Sequence, residues 1–175
     1  PFQKDLKEQF QYLNDNRVRL IKTLPNSMNY SPGDPACESF FRLLSEYKMV
    51  LIAHVGEEHA VDGGGINDLY GNPTSYRKWL QKFPKLKIIF AHVGSEGESK
   101  DSQGQYKSNF DLVLELMDQF PKQTYADISA MTYVLKRIEY IAPLLKRKDL
   151  FSRLVYGSDY PVPSIKLLLQ GGFWK

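Results

Sequence analysis

Two stretches decide how this chain folds: Met49-Val50-Leu51-Ile52-Ala53-His54-Val55-Gly56 and Lys87-Ile88-Ile89-Phe90-Ala91-His92-Val93-Gly94. Each is a short, nearly unbroken apolar run closed by glycine, the pattern of a strand buried on both faces in a parallel sheet. Each also ends in the same four residue types, Ala-His-Val-Gly. A histidine therefore stands at the carboxyl mouth of two successive strands, the end at which parallel α/β folds bind ligands. Neutral imidazole is the commonest protein ligand for transition metals, and two from adjacent strands can converge on one ion. Either histidine alone reads more naturally as a hydrogen-bonded structural residue. Repetition at the same point of consecutive units turns the reading toward a shared ligand.

Outward from these runs, the hydrophobic period and turn signals alternate between strand and helix. Strands are expected over Val18–Leu24, Met49–Val55, Lys87–Val93, Thr124–Ser129 and Leu154–Ser158. Helices are expected over Asp5–Leu13, Cys37–Tyr47, from Asn72-Pro73-Thr74 to Phe83, over Asn109–Phe120 and Tyr133–Lys148, and from Ser164. Gly63–Gly65 and Ser95–Gln105 read as loops at the strand mouths. The strand ends are spaced by 30, 38, 36 and 31 residues, about one strand-loop-helix unit each. With no hairpin signal, the pattern is parallel α/β, organised as a single domain over residues 1–175. Periodicity does not by itself separate a barrel from an open, doubly wound sheet.

Composition narrows the function classes. The 175 residues are 42% hydrophobic and 25% charged, with a net charge of +3, an ordinary globular balance. The densest basic run, Lys146-Arg147-Lys148, is answered at once by Asp149 and reads as a solvated helix end; no nucleic-acid partner is expected. No apolar stretch reaches the roughly 18 residues needed to span a bilayer, so no membrane partner is expected either. Cys37 is the only cysteine, which excludes an internal disulfide and a thiolate-built zinc site and fits a cytoplasmic location. Ser95 and Ser158 lack a glycine-framed elbow, and no Gly-Lys-Ser/Thr follows the glycine run. The opening Pro1-Phe2-Gln3-Lys4 carries neither initiator methionine nor signal pattern, so the chain is expected to begin partway into a longer product.

The third chemical element is Tyr156-Gly157-Ser158-Asp159-Tyr160-Pro161, closing the last strand. A carboxylate there can ligate a metal and take a proton from water, or it can simply cap a following helix. With the two histidines it makes an N/N/O donor set suited to Zn²⁺, Mn²⁺ or Fe²⁺.

On these residues, and above all on the Gly-Ser-Asp-Tyr-Pro turn, the sequence from about Val18 to Leu169 resembles the amidohydrolase superfamily. The similarity is to its amidohydrolase-related, aminocarboxymuconate decarboxylase-like branch. The resemblance implies a TIM-type (β/α)₈ barrel of which this chain supplies only about strands 4–8. His54 would lie on the fifth strand, His92 on the sixth and Asp159 on the eighth, and Ile21–Asn26 resembles the fourth. It further implies a divalent metal cofactor, Zn²⁺ foremost, with His54, His92 and Asp159 as ligands. Asp159 and His92 would be the catalytic pair, with Asp159 as general base. Lys22 is a candidate either for the metal or for a substrate or neighbouring carboxylate. Glu57 and His59 are candidates for substrate contact or for orienting the ligands, or they belong to a solvated loop.

The departure from the family pattern is at the amino-terminal side. Strands 1–3 are missing, and with them a His-x-His pair; none of the three histidines forms such a pair. A complete barrel typically needs about 250 residues, so the missing strands are expected to belong to the native protein. The expected function is metal-dependent hydrolysis of a C–N or C–O bond in a small-molecule substrate. The alternatives are non-oxidative decarboxylation of a small carboxylic acid, or a degenerate, non-catalytic barrel module. Open sheet edges would favour a homo-oligomer.

Overall fold

A computed structural model describes residues 5–57, 68–131 and 135–159 of the chain. Helix α1 (Leu6–Asp15) leads into strand β1 (Leu20–Thr23). A 3₁₀ turn at Pro35–Cys37 runs directly into α2 (Glu38–Glu46), followed by β2 (Val50–Ala53). Two further 3₁₀ turns, Asp68–Gly71 and Pro73–Tyr76, precede α3 (Arg77–Lys82) and β3 (Lys87–Phe90). Then come β4 (Glu98–Lys100), β5 (Tyr106–Ser108), α4 (Asn109–Gln119) and β6 (Thr124–Asp127). The described chain ends with α5 (Leu135–Ile138), α6 (Ile141–Lys146), a 3₁₀ segment Lys148–Arg153 and β7 (Leu154–Val155).

The main sheet has five strands in the order β1-β2-β3-β6-β7, every pair parallel. A doubly wound sheet reverses its strand order at a switch point. Here each strand is added on the same side as the one before, which is the order of a barrel wall. The register aligns Thr23, Ala53, Phe90 and Ala126 in one row and Lys22, Ile52, Ile89 and Tyr125 in the row below it. Because side chains alternate along a strand, the two rows face opposite ways. The first row is buried against the helices, and the second is half-buried or exposed on the other face.

The helices form where local chemistry starts and stops them. The Asp34 carboxylate accepts the Ala36 N–H at 2.8 Å beside Pro35, opening the turn into α2. Phe40, Phe41, Leu43 and Leu44 then bury the helical stripe. Ser108 caps α4 by accepting the Asp111 N–H at 3.1 Å, and Pro121 bars its extension. Between the helices and the sheet runs an aromatic chain. Phe41 stacks on Trp79 with ring centroids 5.0 Å apart, and meets Phe40 and Tyr76 edge-on. Tyr76 in turn meets Phe90 of β3 edge-on at 5.8 Å.

Three sequence expectations are corrected. The stretch expected to be a loop without hairpin character holds an antiparallel pair, with Glu98 opposite Ser108 and Lys100 opposite Tyr106. Its turn is closed by Asp101, whose carboxylate accepts the N–H groups of Gln103 and Gln105, a local device with no hydrophobic alternation to announce it. The single helix expected over Tyr133–Lys148 is broken at Glu139-Tyr140. Pro143 has no N–H to give the Glu139 carbonyl, so the helix restarts with the proline in its first turn. The strands are also shorter than their apolar runs: β3 stops at Phe90, and Ala91–Gly94 forms a 3₁₀-like turn. The glycine loop 63–65 and the helix expected from Ser164 lie outside the described residues.

Phe41 is fully buried at the junction of three rings. Phe41→Ala is expected to cost about 3–5 kcal/mol of unfolding free energy, read as a lower urea midpoint with an unchanged denaturant slope.

Candidate functional site

The parallel register brings the strand mouths to one level. His54 follows Ala53 of β2, and Asp127 ends β6 immediately after Ala126. Strict alternation beyond Phe90 would aim Ala91, not His92, to the same side. The turn after β3 resolves this. His92 (φ 55°, ψ 22°) and Val93 (φ 54°, ψ 22°) both take left-handed backbone, and Gly94 follows at φ 63°. Such a conformation is rare for any residue with a side chain, and for β-branched valine it is strained. The strain swings the His92 ring beside that of His54, with centroids 5.6 Å apart and planes at 69°. Asp159, also left-handed at φ 55°, closes the group: its Oδ1 stands 3.8 Å from His92 Nε2 and 3.9 Å from Lys22 Nζ.

The structure thus gathers four of the sequence candidates, His54, His92, Asp159 and Lys22. Both rings are nearly buried, at 3% and 4% exposure, whereas the Lys22 side chain is half-exposed. Glu57 touches His54 through its main chain, its carbonyl lying 3.2 Å from His54 Nε2. His59 lies outside the described residues.

Several site residues were not singled out in the sequence. Asp127 and Ser129 pack against the far side of His92. Ser129 O and Oγ lie 3.0 and 2.9 Å from Nδ1, and Asp127 Oδ1 lies 3.7 Å from the same nitrogen. Asp127 carries the same signal as the two histidines, a polar residue at the mouth of a core strand. Glu96 and Arg137 form a second buried layer, with Arg137 Nε and Nη2 bonded to Glu96 Oε2 at 2.9 and 2.6 Å. Forty-one positions separate them, and nothing local to either marks the pairing.

The loops after the two histidines are pinned together. Gly56 has φ 91°, and a Cβ there would come within 2.5 Å of the Glu96 carbonyl oxygen, so only glycine fits. Its N–H bonds the Gly71 carbonyl at 2.9 Å, its own carbonyl accepts from Asn26 Nδ2, and Asn109 Nδ2 bonds Glu96 O at 2.8 Å.

The electrostatics favour the neutral form of the His92 ring. Burial is the largest influence pushing its pKa below the ordinary histidine value, and the Arg137 guanidinium adds to it; Asp127 and Asp159 pull in the other direction. A neutral imidazole is the form that binds metal. In a tetrahedral zinc site, bonds of about 2.0–2.1 Å put neighbouring donor atoms about 3.4 Å apart. The His92–Asp159 separation of 3.8 Å is within a few tenths of that, so the donor chemistry and spacing of this pair fit a divalent ion. Among the described residues no group of three such donors is arranged to hold a metal ion.

Five parallel strands in barrel order, with histidines and a carboxylate at their mouths, are the architecture of part of a TIM barrel. The family model described as amidohydrolase matches residues 3–171, and the chain belongs to that family. A comparison with curated proteins finds no match. Among solved structures, the chain is similar to an uncharacterized TIM-barrel protein from Bordetella bronchiseptica. The TM-score is 0.64 at 18% identity, over 89% of this chain and 49% of that one. It is similar to an amidohydrolase from Burkholderia multivorans, with TM-score 0.60 at 13% identity over 95% and 57%. It also resembles a 2,6-dihydroxybenzoate decarboxylase, with TM-score 0.51 at 12% identity over 90% and 56%. The chain spans about half the length of the structures it matches, and its fold is that of a partial barrel. No helix among the described residues is long and apolar enough to cross a membrane.

Arg137→Met strips Glu96 of the guanidinium bonded to its Oε2 and is expected to cost about 3–5 kcal/mol. Adding Glu96→Gln is expected to restore most of that loss; chemical denaturation of the single and double variants measures the coupling.

Proposed function

We propose that this chain forms the carboxyl-terminal wall of a metal-dependent hydrolase that cleaves a C–N or C–O bond of a small-molecule substrate. The observation that carries the reading is the meeting of His92 Nε2 and Asp159 Oδ1 at 3.8 Å, with the His54 ring alongside. His54, His92 and Asp159 would hold a divalent ion, with Zn²⁺ the best match to two imidazoles and a carboxylate and Mn²⁺ or Fe²⁺ as alternatives. Bound there, the ion would supply Lewis acidity. Asp159 would be the carboxylate that accepts a proton at the mouth, and Lys22 stands near enough to its Oδ1 to orient it.

Non-oxidative decarboxylation is the second reading, since a decarboxylase stands among the structural neighbours. The same side chains could serve it, and fold similarity does not choose between reactions. The products separate the two: hydrolysis consumes water, whereas decarboxylation releases carbon dioxide.

Elemental analysis of the purified protein is expected to find one divalent metal per chain and its loss in His92→Ala. Absence of metal from the wild type would leave a non-catalytic barrel module as the better account. Asp159→Asn is expected to keep the fold by circular dichroism and to lower turnover by about 10²–10⁴-fold; full activity would remove Asp159 from proton transfer.

A further inference from the structure

The hydrogen bonds behind His92 fix where its proton sits. The Ser129 carbonyl, 3.0 Å from Nδ1, can only accept. The Ser129 hydroxyl is 2.9 Å from the same nitrogen, but its one proton is directed to Asp127 Oδ1 at 2.5 Å. Two acceptors therefore face Nδ1, and the ring nitrogen must be the donor. Nε2 is left as the lone-pair nitrogen, turned toward Asp159. Asp127 does more than hold the serine. Its Oδ1 also accepts the Ser129 N–H at 3.0 Å and the His92 main-chain N–H at 3.2 Å. One carboxylate oxygen thus bonds the strained residue itself and the group that reads its ring.

From this arrangement we infer that Asp127, acting through Ser129, is a positioning residue. It holds His92 in its left-handed turn as the Nδ1–H tautomer and so presents Nε2 to the site. The inference rests on the proposed metal reading for its purpose, but not for its geometry. Replacing Asp127 by alanine removes the acceptor of the His92 main-chain N–H and frees the serine hydroxyl to donate to Nδ1 in competition with the Ser129 carbonyl, so that a share of the rings would carry the proton on Nε2 and turn a donor toward Asp159. Asparagine keeps an oxygen acceptor at the same place and should preserve the tautomer. Outer partners of ligating histidines typically change metal affinity by about 10–100-fold when removed.

The test is ¹⁵N NMR of the histidine side chains at neutral pH, in the metal-free full-length protein, with His92→Gln assigning the resonance. It is paired with Co²⁺ titration of the same samples. Wild-type His92 is expected to show a protonated Nδ1 and a pyridine-type Nε2. Asp127→Ala is expected to exchange or mix the two tautomers and to weaken Co²⁺ binding about 10–100-fold, while Asp127→Asn retains the wild-type tautomer. A purely structural Asp127 would lower the melting temperature of the alanine variant yet leave its tautomer and Co²⁺ affinity unchanged, and that result overturns the inference. So does a wild-type ring protonated at Nε2, a measurement that needs no variant to fold. A wild type that binds no Co²⁺ but loses its Nδ1 proton in Asp127→Ala upholds the positioning role and removes the metal reading alone.

Discussion

The parallel register that aligns Thr23, Ala53, Phe90 and Ala126 is the constraint on which the rest of the structure depends. It buries one row against the helices and fixes the level at which each chain leaves the sheet. His54 and Asp127 emerge one residue beyond that row, so their convergence needs no long-range device beyond main-chain hydrogen bonding. A register shift by one residue would turn the strand over and send each of these groups to the helix side. The chemistry at the mouth is thus tied to the apolar packing beneath it.

His92 is the exception, and its exception is structural work. It leaves the sheet two residues beyond the row and reaches the site only because His92 and Val93 accept left-handed backbone. Strain of this kind persists where surrounding contacts over-determine it. Here the contacts are visible: Asp127 bonds the His92 N–H, Ser129 bonds its ring, and Val93 is fully buried. The loops on either side are closed by the approach of Gly56 to Glu96 and by the Glu96–Arg137 pair. Two repeated Ala-His-Val-Gly segments therefore reach one place by different backbone routes.

The legible part of this molecule was whatever depends on short-range pattern. Unbroken apolar runs announced the core strands, and their regular spacing announced parallel α/β. Polar residues at the strand mouths announced His54, His92 and Asp159. Asp127 carried the same mark, hidden because Thr124-Tyr125-Ala126 is a weaker apolar run than its neighbours. Periodicity did not choose a barrel over an open sheet; the resemblance carried by the Gly-Ser-Asp-Tyr-Pro turn did, and the strand order agrees with it. The pairing of Glu96 with Arg137 and the left-handed turn at Val93 are products of tertiary contact; valine's own preferences point away from positive φ. The β4–β5 hairpin was missed because its turn is held by one carboxylate rather than by alternating strands.

The strand order has a consequence for how length can be added to such a chain. Each strand pairs only with the strands of adjacent units, so the connections at the mouth carry no ladder of the main sheet. Residues inserted there enlarge a surface excursion and leave both flanking registers untouched. The β4–β5 hairpin, set between β3 and α4, is such an excursion: a two-stranded outgrowth with its own pairing and its own turn. One residue inserted within β2 or β6 would instead reverse the faces of everything beyond it. Tolerance to insertion is therefore sharply partitioned along this chain, generous in the connections at the strand mouths and nearly absent within the strands that hold His54, His92 and Asp127 level.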